Sequence, residues 1–129
     1  MVVDTSAILA LVLGEPAAPW VAEQLALHAP ALRMSTVNLT ETLIRLRDLQ
    51  PTLFDALEER LLGSGIRFVP PDAAQARIAA SARLRFPLNL GDCFAYALAV
   101  VEGVSVLTLD ADFAKADCAV VGPPSTGGA

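Results

Sequence analysis

Four acidic residues stand where an apolar strand-like segment or a loop gives way to a predicted helix: Asp4, Glu41, Asp92 and Asp110. Carboxylate oxygens are the ligands that hard divalent cations such as Mg²⁺ prefer in proteins. A cation held in this way can activate water for attack on phosphorus. The acidic residues therefore predict metal-dependent phosphoryl chemistry, provided that the fold brings their side chains together.

Each of these acids also has a helix-capping explanation. Asp4 could cap a helix that begins directly after it, and residues 38–41 and 89–92 both match a capping box. In residues 38–41 the side chain of Glu41 would reach back to the backbone amide of Asn38. Asp110 could form an ordinary Asx turn with residue 112. Independent caps would not need to lie on one side of the molecule, whereas a metal site does.

The elements that must position the acids alternate between strands and helices. Strands are predicted at residues 1–3, 31–35, 66–69, 104–109 and 119–121. Helices are predicted at residues 7–13, 20–27, 38–50, 53–62, 72–84 and 92–102, with a turn or short helix at 110–116. This alternation predicts an α/β fold, a three-layer α/β/α sandwich around a central, mostly parallel sheet. We expect one domain over residues 1–122 and a flexible tail at 123–129.

In such a sheet the carboxyl ends of parallel strands form a crevice at one edge, and this is where ligands bind. Asp4 follows the first predicted strand, and Asp110 follows the strand at 104–109. Glu41 and Asp92 lie in the first turns of helices that enter the same edge. Parallel topology therefore predicts that all four carboxylates face one crevice.

Composition narrows the classes of function. The chain has 129 residues, 54% of them hydrophobic, and a net charge of −5, so a well-buried core is expected and a broad basic surface for nucleic acid is not. An acidic metal pocket still attracts phosphate once the cation is bound. The longest apolar run, residues 93–101, is too short to cross a bilayer, so no membrane association is expected.

The sequence lacks the residues and motifs that several other types of active site require. His28 is the single histidine, so neither a two-histidine ribonuclease nor a histidine metal cluster is available. The sequence contains no GxSxG elbow and no glycine-rich phosphate loop. Cys93 and Cys118 form no CxxC pair, and this usage favours a reducing, cytoplasmic location.

Four segments, in order and spacing, resemble the PIN domain nucleases, and in particular the VapC-type toxins of bacterial toxin–antitoxin pairs. They are VVDTSA at 2–7, STVNLTE at 35–41, LGDCFAYALA at 90–99 and LTLDADF at 107–113. The resemblance covers nearly the whole chain. It implies a PIN-like fold and a ribonuclease that depends on Mg²⁺ or Mn²⁺ and hydrolyses RNA. It also implies a cognate VapB-like antitoxin over the active-site face, a homodimer and a toxin–antitoxin hetero-oligomer.

The resemblance also implies roles for individual residues. Asp4, Glu41, Asp92 and Asp110 would be the catalytic acids and metal ligands, with Asp4 and Asp92 the strongest candidates for direct coordination. Supporting roles would fall to Asp112, which could replace or assist Asp110, and to the hydroxyl groups of Thr5, Ser6 and Thr108.

The arginines near the acids have two interpretations. Arg45 lies one turn after Glu41, and Arg83 and Arg85 precede Asp92. They could contact RNA phosphates, or they could simply be solvated and form helical ion pairs such as Glu41 with Arg45. Two other functions remain open at this point: a PIN-like or receiver-like module that only binds, and a metal-dependent phosphatase acting on small molecules.

Overall fold

The structure is a computed structural model that describes residues 1–124, so residues 125–129 of the predicted tail lie outside it. Its centre is a five-stranded sheet in the order β3-β2-β1-β4-β5, in which every neighbouring pair is parallel. The strands are β1 (Val2–Val3), β2 (Arg33–Ser35), β3 (Arg67–Val69), β4 (Val106–Leu107) and β5 (Val120–Val121). The predicted α/β sandwich with a parallel sheet is confirmed.

Six helices cover the sheet. They are α1 (Thr5–Val12), α2 (Ala18–His28), α3 (Thr36–Leu49), α4 (Phe54–Leu62), α5 (Ala73–Arg85) and α6 (Leu90–Glu102), with a short 3-10 helix at Ala111–Lys115. Within residues 1–124, no helix is both long and apolar enough to span a membrane.

The core consists of two hydrophobic clusters, one on each face of the sheet. Because successive side chains of a strand point to opposite faces, Val2 and Val106 join the cluster under α5 and α6. Val3 and Leu107 join the cluster under α1, α2 and α4. Both faces of the central strands are therefore buried, as expected for a parallel sheet.

The strand order places the crevice between β1 and β4. From β1 the chain builds outward to β2 and β3, and it then returns to add β4 and β5 on the other side. Ligands bind at such a switch point, outside the carboxyl ends of the strands. Asp4 follows β1 there, and its backbone N–H donates to the carbonyl of Leu107 at the end of β4 (3.0 Å).

The strands are shorter than the sequence pattern predicts. The segment predicted as a strand at 104–109 is paired only over Val106–Leu107, and the one at 31–35 only over Arg33–Ser35. Hydrophobic periodicity marks which residues are buried but not where the ladder of hydrogen bonds ends. In the first of these segments the ladder ends with the hydrogen bond from the Thr108 amide to the Val121 carbonyl (3.1 Å), and the Thr108 hydroxyl binds the side chain of Asp4.

The prediction that residues 38–41 form a capping box is wrong. Helix α3 begins at Thr36, and Ser35 is its N-cap, with the Ser35 hydroxyl accepting a hydrogen bond from the Val37 amide (3.2 Å). Asn38 and Glu41 are therefore inside the helix, and Glu41 lies in its second turn rather than its first. An earlier residue with equal capping ability took the role, because the strand already ends at Ser35.

Candidate active site

Asp4 is the most deeply buried of the four acids, with 1% of its surface exposed. It occupies the N-cap position of α1, but its carboxylate makes no capping hydrogen bond. Instead, Oδ2 accepts hydrogen bonds from Thr108 Oγ1 (2.7 Å) and Ser6 Oγ (2.8 Å). Oδ1 is buried and has no hydrogen-bond partner among the described residues. An unpaired buried carboxylate oxygen is costly, and a bound cation would satisfy it.

The hydroxyl groups of Ser6 and Thr108 tie this carboxylate to the loop after β4. The two hydroxyls are 3.2 Å apart. Ser6 Oγ also accepts from the Leu109 amide (2.9 Å), and Thr108 Oγ1 accepts from the Asp110 amide (2.9 Å). Both hydroxyls were predicted to lie near the metal or phosphate, and the structure places them against Asp4.

Glu41 reaches the site from α3. Its Oε1 accepts hydrogen bonds from Thr5 Oγ1 (3.0 Å) and from Asn38 Nδ2 (3.2 Å). Asn38 is fully buried and also donates to the carbonyl of Gly91 (3.0 Å). The sequence pattern indicated a helix cap at Asn38 and did not predict this contact. The available signal was a polar residue three positions before Glu41, on the same face of the helix.

Asp92 lies in the first turn of α6, whose N-cap is Asn89, and its backbone amide donates to Asn89 Oδ1 (2.8 Å). Burial, together with the nearby negative charges of Asp4 and Asp110, raises the pKa of the Asp92 carboxyl to about 7. Burial also raises the pKa of Asp4, against the lowering effect of its hydrogen bonds to Thr108 and Ser6. Clustered acids with raised pKa values are typical of functional sites.

These acids surround one cavity of about 220 Å³. It is lined by Asp4, Thr5, Ser6, Leu9, Glu41, Arg45, Asn89, Asp92 and Asp110. The structure therefore brings the four predicted acids together from four separate segments of the chain. A larger cavity, of about 580 Å³, lies near the opposite edge of the sheet. The one carboxylate there is that of Asp117, which already binds Tyr96 and Arg85.

The donor set suits a divalent cation, although within residues 1–124 no three acidic, histidine or cysteine side chains are close enough to hold an ion as they stand. Mutual repulsion separates carboxylates that are not neutralised. Mg²⁺ usually takes only one or two carboxylates and keeps several waters. Asp4 and Asp92 supply two such carboxylates, and Oδ1 of Asp4 is buried and unpaired.

Asp110 and Asp112, the two candidates for the fourth acidic position, differ in their relation to the cavity. Asp112 is turned toward Lys115 (3.5 Å), while Asp110 both lines the cavity and accepts a hydrogen bond from the Asp112 amide (2.9 Å). The geometry thus favours Asp110 for the fourth position and confirms the predicted Asx turn.

Of the three arginines, only Arg45 lines the cavity, and among the described residues it forms no ion pair with Glu41. Arg85 instead binds Asp117 (2.7 Å) and lies over the ring of Phe86 (4.6 Å). Arg83 is exposed and does not line the cavity. Contacts between RNA and these arginines remain predictions.

The model of the PIN domain family matches residues 1–118 of this chain. The chain belongs to the PIN domain family. This PIN domain is 39% identical to Ribonuclease VapC42 of Mycobacterium tuberculosis over 127 residues, which cover 91% of this chain and 95% of that one.

Solved structures share the fold of this PIN domain. The crystal structure of Mycobacterium tuberculosis VapC20, described as a sarcin-ricin loop cleaving toxin, matches with a TM-score of 0.79 and 20% identity, covering 95% of this chain and 98% of that one. A toxin–antitoxin complex from Klebsiella pneumoniae matches with a TM-score of 0.76 and 20% identity, covering 95% and 97%. At these identities the likeness concerns the fold.

Proposed function

We propose that this PIN domain is a metal-dependent endoribonuclease, the toxin of a toxin–antitoxin pair, which hydrolyses RNA phosphodiester bonds with Mg²⁺ or Mn²⁺. The observation that carries the proposal is the meeting of four carboxylates in one cavity, with Oδ1 of Asp4 buried and unpaired. The relationship to Ribonuclease VapC42 supports RNA as the substrate.

Asp4 and Asp92 would hold the cation directly, and Glu41 and Asp110 would complete the site, partly through water. Once bound, the cation supplies charge neutralisation, a polarised phosphate and water of lowered pKa. All of these residues present oxygen ligands, the type that hard divalent cations prefer.

Other residues of the chain would orient the carboxylates and bind the RNA phosphate. Thr108 and Ser6 fix one oxygen of Asp4, so that the carboxylate keeps one orientation at the strand end. Arg45 is the one basic residue that lines the cavity, and its guanidinium is suited to bind an RNA phosphate in a bidentate manner. Without a cation the negative charge of the acids would repel that phosphate.

The partner we propose is a VapB-like antitoxin that covers this face and forms a hetero-oligomer with a homodimer of the toxin. The support is the likeness of the fold to a chain of the toxin–antitoxin complex from Klebsiella pneumoniae. An antitoxin that blocked the cavity would keep RNA away from all four acids at once.

The test is cleavage of total RNA by the purified chain, with Mg²⁺ or Mn²⁺ and then with a chelator. We expect cleavage only with the cation, and a loss of about 100-fold or more in Asp4→Asn, since a cation site would lose one of its charged ligands. Asp72→Asn is the matched control, because Asp72 caps α5 outside the cavity and Asn caps equally well.

The outcomes separate the candidate functions. Cleavage that survives both the chelator and Asp4→Asn would contradict a metal mechanism. Hydrolysis of a generic phosphomonoester with all RNA left intact would favour a small-molecule phosphatase. No hydrolysis of either substrate, with an intact fold, would favour a module that only binds.

A further inference from the structure

Gly91 lies in direct contact with the carboxylate of Glu41. A Cβ atom at position 91 would come closer than 3.0 Å to Oε1, Oε2 and the carboxyl carbon of Glu41, a separation that real Cβ atoms essentially never show. The glycine is not needed for its backbone, because the glycines with positive φ are Gly14, Gly65 and Gly103. The space left by the missing side chain is therefore what this position provides.

Asn38 holds the same two partners together from the other side. Its buried Nδ2 donates both to the carbonyl of Gly91 (3.0 Å) and to Oε1 of Glu41 (3.2 Å). Thr5 Oγ1 adds a third contact, to the same oxygen of Glu41 (3.0 Å). The carboxylate of Glu41 is thus fixed against the first turn of α6, one residue before Asp92.

We propose that Gly91 is a positioning residue of the acidic site: its lack of a side chain, with the amide of Asn38, lets the Glu41 carboxylate lie against the first turn of α6, in the cavity that Asp92 also lines. The inference rests on the proposed function for its purpose, since the position of Glu41 in this cavity matters only if the acids there serve one cation. The contact between Gly91 and Glu41 itself is independent of that function. A side chain introduced at position 91 should stabilise helix α6 itself and weaken cation binding at the site.

Gly91→Ala should displace Glu41 without unfolding the chain. Position 91 is helical, and Ala is a better helix former than Gly, so the helix itself gains stability. The atoms that must move are the far end of a flexible side chain rather than backbone. Glu41 would lose its hydrogen bonds to Thr5 and Asn38, and its carboxylate would no longer be oriented in the cation site. Changes to groups that orient metal ligands commonly weaken metal binding about 10- to 100-fold.

The experiment is a double-mutant cycle with wild type, Gly91→Ala, Glu41→Ala and the double variant. For each protein, the melting temperature is measured without metal, and the affinity for Mn²⁺ is measured by calorimetry. In the Glu41→Ala background the new methyl group meets no carboxylate, so Gly91→Ala should raise Tm by about 3–4 °C more there than in the wild type. In the wild-type background Mn²⁺ affinity should fall at least about tenfold. In the Glu41→Ala background Gly91→Ala should leave that affinity unchanged.

Ser81→Ala, on the exposed surface of α5, is the control for helix propensity alone and should leave Mn²⁺ affinity at the wild-type value. Equal Tm changes in both backgrounds would overturn the inference, whether or not the chain cleaves RNA. An unchanged Mn²⁺ affinity in Gly91→Ala would also overturn it. A wild-type chain that bound no Mn²⁺ would contradict the proposed function instead, and the Tm cycle would still decide the role of Gly91.

Discussion

Thr108 Oγ1 donates a 2.7 Å hydrogen bond to Asp4 Oδ2, joining two residues that lie 104 positions apart in the chain. Both residues are buried, one just after β4 and the other just after β1. The bond therefore crosses the switch point of the sheet, where the crevice lies. It occupies one oxygen of the carboxylate and leaves the other, Oδ1, unpaired.

Replacing Thr108 with Val keeps the shape of the side chain and removes the donor. We expect a loss of about 1–2 kcal/mol in the free energy of unfolding, because the buried Asp4 carboxylate loses a hydrogen bond and the Asp110 amide loses its acceptor. Urea denaturation measures it. Thr40→Val is the matched control, since the Thr40 hydroxyl bonds the Thr36 carbonyl on an exposed surface. Equal losses in the two variants would contradict a special role for the buried bond.

The raised pKa of Asp92, about 7, predicts how stability varies with pH when no metal is present. Between about pH 4 and pH 7 the unfolded chain has released this proton while the folded chain keeps it, so stability falls as pH rises through that window. The raised pKa of Asp4 acts in the same direction. Below pH 4 the contribution of this group is fully present, and above pH 7 it has been lost.

Asp92→Asn removes that titration. We expect the wild type to lose on the order of 1–2 kcal/mol more than Asp92→Asn between pH 5 and pH 8, measured by denaturation in the presence of a chelator. Carboxylates outside the site titrate equally in both proteins, so the difference between the two proteins reports on Asp92 together with the acids it interacts with, Asp4 and Asp110. A difference that stayed constant over the whole range would contradict the assigned pKa.

Metal binding should stabilise the fold, because the cation neutralises carboxylates that repel one another. At a free Mn²⁺ concentration of about 100 times Kd the gain is about 2.7 kcal/mol, visible as a rise in Tm that a chelator reverses. We expect this rise in wild type and in Asp72→Asn, and its loss in Asp4→Asn. A rise of the same size in Asp4→Asn would show that the ion binds elsewhere.

The two arginines Arg45 and Arg85 should differ in their effect on RNA cleavage. Arg45→Ala should raise KM for RNA about tenfold, since charge-assisted hydrogen bonds to phosphate are strong. Arg85→Ala should leave KM unchanged and have little effect on stability, because its ion pair with Asp117 is half exposed and screened by solvent. Steady-state cleavage of a fluorogenic RNA measures both. A larger KM effect in Arg85→Ala would reverse the assignment.

The sequence was sufficient to predict the sheet class and the edge at which the acids meet. Asp4 follows an apolar strand whose neighbours are parallel, and that placement puts it at the edge of the sheet where the crevice lies. The ends of the strands were not predictable to the residue, because the apolar pattern continues to Leu109, past Leu107, the last residue of β4.

Long-range contacts within the site were beyond the sequence. The three-residue spacing from Asn38 to Glu41 is typical of a helix cap. The Asn38 side chain instead bridges Glu41 and Gly91, and Gly91 lies 53 residues away in the chain. No sequence pattern indicates the role of Gly91, because that role is to leave space for the side chain of Glu41 from another segment of the chain. Such contacts depend on how α3 packs against α6, and no local propensity encodes that arrangement.

The most direct measurement of the central claim is anomalous diffraction from crystals of the wild-type chain soaked in Mn²⁺. We predict a peak in the cavity, within coordinating distance of the carboxylates of Asp4 and Asp92, and no such peak in crystals of Asp4→Asn. A saturated crystal that showed no peak there, or that showed its peak away from Asp4, would contradict the assignment of these acids as a metal site.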